Sequence, residues 1–213
     1  MLRLKDLEMQ LQSIHRLSEY EVNLEQYPTP PNIAAAILYA AEIEHNDIVN
    51  RTVCDLGCGD GVFAIGAALL GAKHVIGVDV QSKALKEAQK NSDMLGMDDT
   101  IDLVLGDVSS QILRGPVDTV LSNPPFGVKK RGADVVFLSK AMSIANVTYS
   151  IHLSGDKNRT FLATAIERLG GEITQIETFE FPIPRIYKFH KKRIHLTTVD
   201  LYRICKKESD NNG

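Results

Sequence analysis

Between residues 52 and 169, short strand-like runs alternate with helix-like runs, and this alternation restricts the fold more than any other feature of the chain. The runs at 52–56, 74–80, 101–105, 117–121 and 148–153 are apolar and rich in β-branched residues, whereas 62–70, 82–95, 134–145 and 157–169 carry apolar residues at helical spacing. Strand, helix, strand in this rhythm implies βαβ crossovers and a parallel sheet with helices on both faces. The last third departs from the pattern. Residues 173–181 and 194–204 are strand-like with no helix between them, so they can pair antiparallel at one edge. The expected architecture is α/β: a Rossmann-like, doubly wound, mostly parallel seven-stranded sheet with an antiparallel edge hairpin.

Ahead of the alternation, Leu4, Leu7, Leu11, Ile14 and Leu17 recur at helical spacing and predict a first helix covering the sheet. Thr29 is placed to cap a second helix with Pro30 as its first residue, running to about Glu44. Residues 1–45 then form a helical cap on a core spanning 50–205, with 1–205 as one domain and the polar, Asn-rich 206–213 as a disordered tail. At 213 residues and 44% hydrophobic, the chain can fill one core. Its apolar runs are interrupted well short of the roughly 20 residues of a membrane helix. The polar start, Met1 to Asp6, does not resemble a signal peptide, so a cytoplasmic location is expected. Cys54, Cys58 and Cys205 make neither a disulfide framework nor a four-ligand zinc pattern; buried thiols and no metal site are expected.

The turn after the first strand of the series, Asp55-Leu56-Gly57-Cys58-Gly59-Asp60-Gly61, concentrates glycine where a sheet presents its carboxyl edge. Glycine lets backbone approach a ligand and adopt positive φ, and the helix that follows offers free N–H groups. The spacing is G-x-G-x-G, without the third glycine of a dinucleotide fingerprint. Asp79 closes the next strand at the position of a ribose-binding carboxylate, and Asp107 closes the third, where it can meet an adenine amine. Helix capping is the lesser alternative for both aspartates. Taken together the acids form a nucleoside pocket with no cation for a pyrophosphate, which favours S-adenosylmethionine over a nicotinamide dinucleotide.

Asn123-Pro124-Pro125-Phe126 follows the strand at 117–121, again at the carboxyl edge. Two prolines fix a backbone that can direct carbonyl groups outward, and an amide beside an aromatic ring suits a planar nitrogen-bearing substrate. Alone, the same four residues could be a stiff turn with a packing phenylalanine. Two short segments gather eight cations without an acid: Lys129, Lys130 and Arg131, then Arg185, Lys188, Lys191, Lys192 and Arg193. On a chain of net charge −3 this asymmetry fits a localised polyanion contact, or else solvated surface. Tyr187, Phe189 and His190 interleave the second segment as further candidate contacts, and Tyr187 or Phe189 could stack on a base.

In order along the chain, Leu24-Glu25-Gln26-Tyr27-Pro28-Thr29, Asp55-Leu56-Gly57-Cys58-Gly59, Asn123-Pro124-Pro125-Phe126-Gly127 and Tyr187-Lys188-Phe189-His190-Lys191-Lys192 resemble the methyltransferase-like protein 5 family. The likeness covers nearly the whole chain. It implies a class I methyltransferase fold, S-adenosylmethionine as cofactor, and methylation of adenosine N6 in small-subunit ribosomal RNA. It also implies a small zinc-binding activator partner of the Trm-one-twelve type. Residue by residue, Gln26, Tyr27 and Thr29 would close over the cofactor; Asp55, Gly57, Gly59 and Asp60 would border it; and Asp79 would bind its ribose. Asp107 and Val108 would frame its adenine, with Asn123, Pro124, Pro125 and Phe126 as the catalytic loop and Phe126 stacked on the target base. Because the N-P-P-F core also serves enzymes acting on protein glutamine amides and other nucleic-acid amines, those acceptors stay open, as does a non-catalytic ribosome-assembly module.

Overall fold

The computed structural model describes residues 2–17, 21, 25, 27–111, 113, 115–127, 132–184 and 194–207. Along the chain run α1 (Leu4–Gln12), α2 (Pro31–His45), β1 (Thr52–Leu56), α3 (Val62–Leu70), β2 (His74–Asp79), α4 (Ser82–Met94) and β3 (Ile101–Leu105). There follow β4 (Val117–Ser122), α5 (Ala133–Ile144), β5 (Ala145–Leu153), α6 (Asp156–Arg168), β6 (Gly171–Pro184) and β7 (Ile194–Lys206). The seven strands form one sheet in the order β3-β2-β1-β4-β5-β7-β6. β1 to β5 are mutually parallel, and β7 enters antiparallel between β5 and β6.

This order reverses direction between β1 and β4. Helices crossing from β1 toward β2 and from β4 toward β5 leave on opposite faces, which opens a crevice at the carboxyl ends of the two central strands. Alternate residues of β1 show the two faces: Val53 packs into the core under α1, α2 and α3, whereas Cys54 and Leu56 pack with Ala141 of α5. Burial pushes the Cys54 thiol up to about 12. Cys58 is buried as well, but Cys205 is only half-buried, beside Arg203.

The amino-terminal region differs from expectation twice. Helix α1 stops at Gln12, and Ile14 and Leu17 are buried from an irregular segment instead of a helical face. The helix lies on α2 and α3 instead of on the sheet. Gly66 of α3 makes this layer possible, because a Cβ there would collide with Leu38 and sit 3.3 Å from Leu11. Helix α2 starts one residue later than expected. A residue before proline is disfavoured in the α region, and Pro30 precedes Pro31, so Pro30 stays extended with ψ 142 and Thr29 caps nothing.

The edge hairpin outruns the sheet. Pairing of β5 with β7 ends at Leu153↔Val199, but β6 and β7 continue to Pro184↔Ile194. The arms thus extend past the carboxyl edge by roughly 17 Å at about 3.4 Å per residue. Phe181 on that extension is fully buried and packs edge-on against Phe126, with ring centroids 6.4 Å apart.

Candidate active site

The glycine turn leaves β1 at the crevice and is held from behind. Gly57 and Cys58 N–H groups donate to the Val78 carbonyl at 2.8 and 2.9 Å. Gly57, Gly59 and Gly61 have φ of 82, 55 and 88. A Cβ on Gly57 would come 3.0 Å from the Phe137 ring, whereas one on Gly59 would meet nothing within 4 Å, so Gly59 borders open space. Asp79 braces the turn by accepting the Gly59 N–H at 2.9 Å and the Gln81 N–H at 2.8 Å. Asp55 accepts the Ala64 N–H at 2.9 Å, satisfying a free donor in the first turn of α3. Ser122 Oγ donates to the Leu56 carbonyl at 2.8 Å and pins the ends of β1 and β4 together.

A cavity of about 270 Å³ opens in this crevice. Its wall carries the carboxylates of Glu25, Asp55, Asp60, Asp79 and Asp107 and, among the described residues, no lysine or arginine. The rest is mainly apolar, with Val80 and Val108 facing it beside Phe63 and Phe137. Burial raises the carboxyl groups of Asp55, Asp60 and Asp79, that of Asp55 to about 8. Among the described residues such a wall offers no cation to a pyrophosphate, and a ligand that brings positive charge would favour the ionised form of these acids.

Asn123 stands where β4 enters the cavity. Its Nδ2 donates to the Tyr27 carbonyl at 3.0 Å and to Thr29 Oγ1 at 3.1 Å. The carbonyl can only accept, which fixes which end of the amide faces it. Asn123 Oδ1 is buried without a hydrogen-bond partner. Ser92 Oγ and Tyr202 OH are the other such atoms among the described residues, and neither residue lines the cavity. The site therefore presents a fixed, unpaired acceptor, matched by a ligand group with N–H or O–H bonds to give.

Of the residues singled out from sequence, Tyr27, Thr29, Asp55, Gly57, Gly59, Asp60, Asp79, Asp107, Val108, Asn123 and Pro125 meet at this cavity. Pro124 is buried and is not among the residues lining it. Phe126 is not open for a base: its ring stacks on Tyr27 at 5.4 Å and 17°, with Phe181 at its edge. Asp107 lies two residues past the end of β3, and its Oδ1 accepts Ser109 N–H and Oγ–H at 2.8 and 2.7 Å in a local turn. Gln26, Lys129, Lys130, Arg131, Arg185, Tyr187, Lys188, Phe189, His190, Lys191, Lys192, Arg193 and the tail at 208–213 lie outside the described residues.

Sequence reading missed Arg16, whose guanidinium reaches Asp60 at 2.9 Å, and Glu25, which is buried in the cavity wall. It also missed a trio resembling a nucleophilic triad. Ser150 Oγ lies 2.8 Å from His152 Nε2, and His152 Nδ1 lies 3.9 Å from Asp134. That second separation is too long for a hydrogen bond, and His152 is 2% exposed, its pKa lowered by burial to about 4. The trio is closed to a substrate.

Residues 37–124 match the family model described as ribosomal protein L11 methyltransferase (PrmA). The chain is 37% identical to the rRNA N(6)-adenosine-methyltransferase METTL5 of Danio rerio, over 95% of its own length and 99% of that protein. With the Drosophila melanogaster rRNA N(6)-adenosine-methyltransferase Mettl5 it shares 34% identity, over 95% and 96% of the two chains. Among solved structures, a proposed RNA methyltransferase from Pyrococcus horikoshii superposes with a TM-score of 0.89 at 38% identity, covering 98% of this chain and all of the other. Among the described residues, no helix is long and apolar enough to cross a membrane.

Proposed function

Because the chain belongs to the METTL5 family of rRNA N6-adenosine methyltransferases, we propose that it methylates N6 of one adenosine in small-subunit ribosomal RNA, in the cytoplasm. S-adenosylmethionine is the cofactor, and it supplies a methyl group made electrophilic by its sulfonium. The wall described above suits it. Asp79 would take the ribose hydroxyls, Val80 and Val108 would flank the adenine with Asp107 beside them, and the Gly57–Gly61 turn would border the rest. Gln26, Tyr27 and Thr29 would close the site.

The unpaired Asn123 Oδ1 carries this reading. An aromatic amine is a weak nucleophile because its lone pair is delocalised into the ring. Acceptors that hold its hydrogens let the nitrogen become tetrahedral, and Asn123 Oδ1 with the Pro124 carbonyl can serve as that pair. The methylated amine is acidic, so its proton can leave to water and no strong base is required. Phe126, clasped between Tyr27 and Phe181, keeps the loop rigid. A target adenosine in helical RNA would be turned out of its stack to reach the site. Lys129, Lys130, Arg131 and the basic residues from Arg185 to Arg193 would hold phosphates, with Tyr187 or Phe189 stacking on a neighbouring base. The resemblance adds a small zinc-binding activator as partner.

Incubation with methyl-labelled cofactor and either deproteinised small-subunit RNA or total protein tests the acceptor. Label recovered as N6-methyladenosine at one position is expected. Label on glutamine in protein would overturn the acceptor, and cofactor binding without transfer to either would overturn the enzyme.

A further inference from the structure

The backbone just after α1 is fastened to the glycine turn by the side chain of Asn91. His15 N–H donates to Asn91 Oδ1 at 2.7 Å, and Asn91 Nδ2 returns bonds to the His15 and Asp60 carbonyls, each at 2.9 Å. Asn91 is 1% exposed, so its amide is committed to holding this segment against the glycine turn. Arg16 projects from the fastened backbone. Its Nη1 meets Asp60 Oδ1 and Oδ2 at 3.2 and 2.9 Å, while its Nη2 donates to the Thr29 carbonyl at 2.8 Å. The Thr29 hydroxyl in turn accepts from Asn123 Nδ2. One hydrogen-bonded path thus runs from the cofactor turn to the amide whose oxygen awaits the substrate.

We infer that Arg16 is a positioning residue that couples the cofactor turn at Asp60 to the orientation of the Asn123 amide through Thr29. A buried surface latch would need only the ion pair. Here the second guanidinium arm is spent on the peptide carbonyl of the residue that holds Asn123, and Asp60, Thr29 and Asn123 all line the same cavity. Asp60 and Thr29 are each 4% exposed, and the Arg16 side chain that joins them is 28% exposed. Only arginine offers the planar fork that joins a carboxylate to a carbonyl; lysine would keep the charge and lose the second arm. Through this path a displacement of the turn by a bound cofactor would shift the acceptor amide, and by linkage the amide's orientation would bear equally on cofactor binding.

This inference rests on the methyl-transfer reading, and its test keeps the two apart. The side-chain amide resonances of Asn123 are followed by NMR while S-adenosylhomocysteine is titrated into wild type, Arg16→Lys, Arg16→Ala and Thr29→Val. A shift in wild type that is lost or at least halved in Arg16→Lys supports the coupling whether or not RNA is methylated; an equal shift in both overturns it. On small-subunit RNA, Arg16→Lys is expected to lower kcat about 10- to 100-fold with KM changed less than about 3-fold. Arg16→Ala combined with Thr29→Val should lose no more than the worse single variant, since both cut one path. Additive losses, or a lowered melting temperature with wild-type kcat, would reduce Arg16 to a structural latch.

Discussion

Two buried polar clusters in this protein use the same residue types to opposite ends. Around Asp47 the carboxylate accepts from Tyr149 OH at 2.6 Å and from Arg203 Nε at 2.9 Å, while the Asp47 carbonyl accepts from Thr119. Arg203 spends a further N–H on Thr174. Burial and the adjacent carboxylate push the Tyr149 hydroxyl well above its ordinary value, so it stays a neutral donor. Charge and hydrogen bonds close. In the cavity wall, among the described residues, Asp55 and Asp79 accept from backbone N–H groups alone, Asp60 is paired with Arg16, and Asn123 Oδ1 has no partner. A chain that can satisfy Asp47 so fully leaves such deficits where a ligand is to supply what is missing.

The comparison breaks first at Asn123. Asn123→Ala should cut methyl transfer by at least about 10³-fold while leaving S-adenosylhomocysteine affinity within about 2-fold and the melting temperature nearly unchanged. Single-turnover assays alongside calorimetry measure both; retained turnover would mean that the unpaired oxygen is incidental. Asp47→Ala should show the converse. Stripping a buried partner from Arg203 is expected to cost about 3–5 kcal/mol in urea unfolding, with cofactor affinity intact below the transition. If that variant instead loses cofactor and keeps its stability, the division of labour between the clusters is wrong.

A smaller effect sharpens the contrast through pH. His152 is held neutral by burial, with its pKa lowered to about 4. Between that value and its ordinary one near 6.5 the unfolded chain binds the extra proton. The stability this neutrality contributes is complete above about pH 6.5 and is lost on acidification toward 4, about 3 kcal/mol in all. The cavity acids act with the other sign: raised pKa values make the native state bind more protons, so stability falls as pH rises through them. Comparing wild type with His152→Gln at pH 7 and 4.5 isolates the imidazole. Parallel acid destabilisation of the two proteins would discard the assignment.

Strands β1 to β4 were legible because each is a short β-branched run, and the glycine turn and Asn-Pro-Pro-Phe loop because each ends such a run. What escaped depends on distant partners. The periodicity of α1 continues through Ile14 and Leu17, yet Asn91, 76 residues from His15, captures the backbone and ends the helix early. That contact gives Arg16 its position, and no local pattern announces it. The neighbours of Thr29 mark it as a cap because its partner Asn123 is 94 residues away. Phe126 suits a base-stacking platform in the sequence because nothing there places Tyr27 over its ring.

The overhanging hairpin has a metric consequence. β6 and β7 are cross-bonded along the whole extension, so the arms behave as a stiff ruler anchored in the sheet at Val199 and braced at Phe181. On the proposed reading, a nucleotide held beyond the arms would be separated from the one at Asn123 by a length set by the number of residues in each arm. Trimming two residues from each arm would shorten the reach by about 7 Å without changing which side chains face the core; trimming one would turn every inward side chain outward. If the proposed RNA contact holds, strand length would set the reach of the hairpin in steps of two residues.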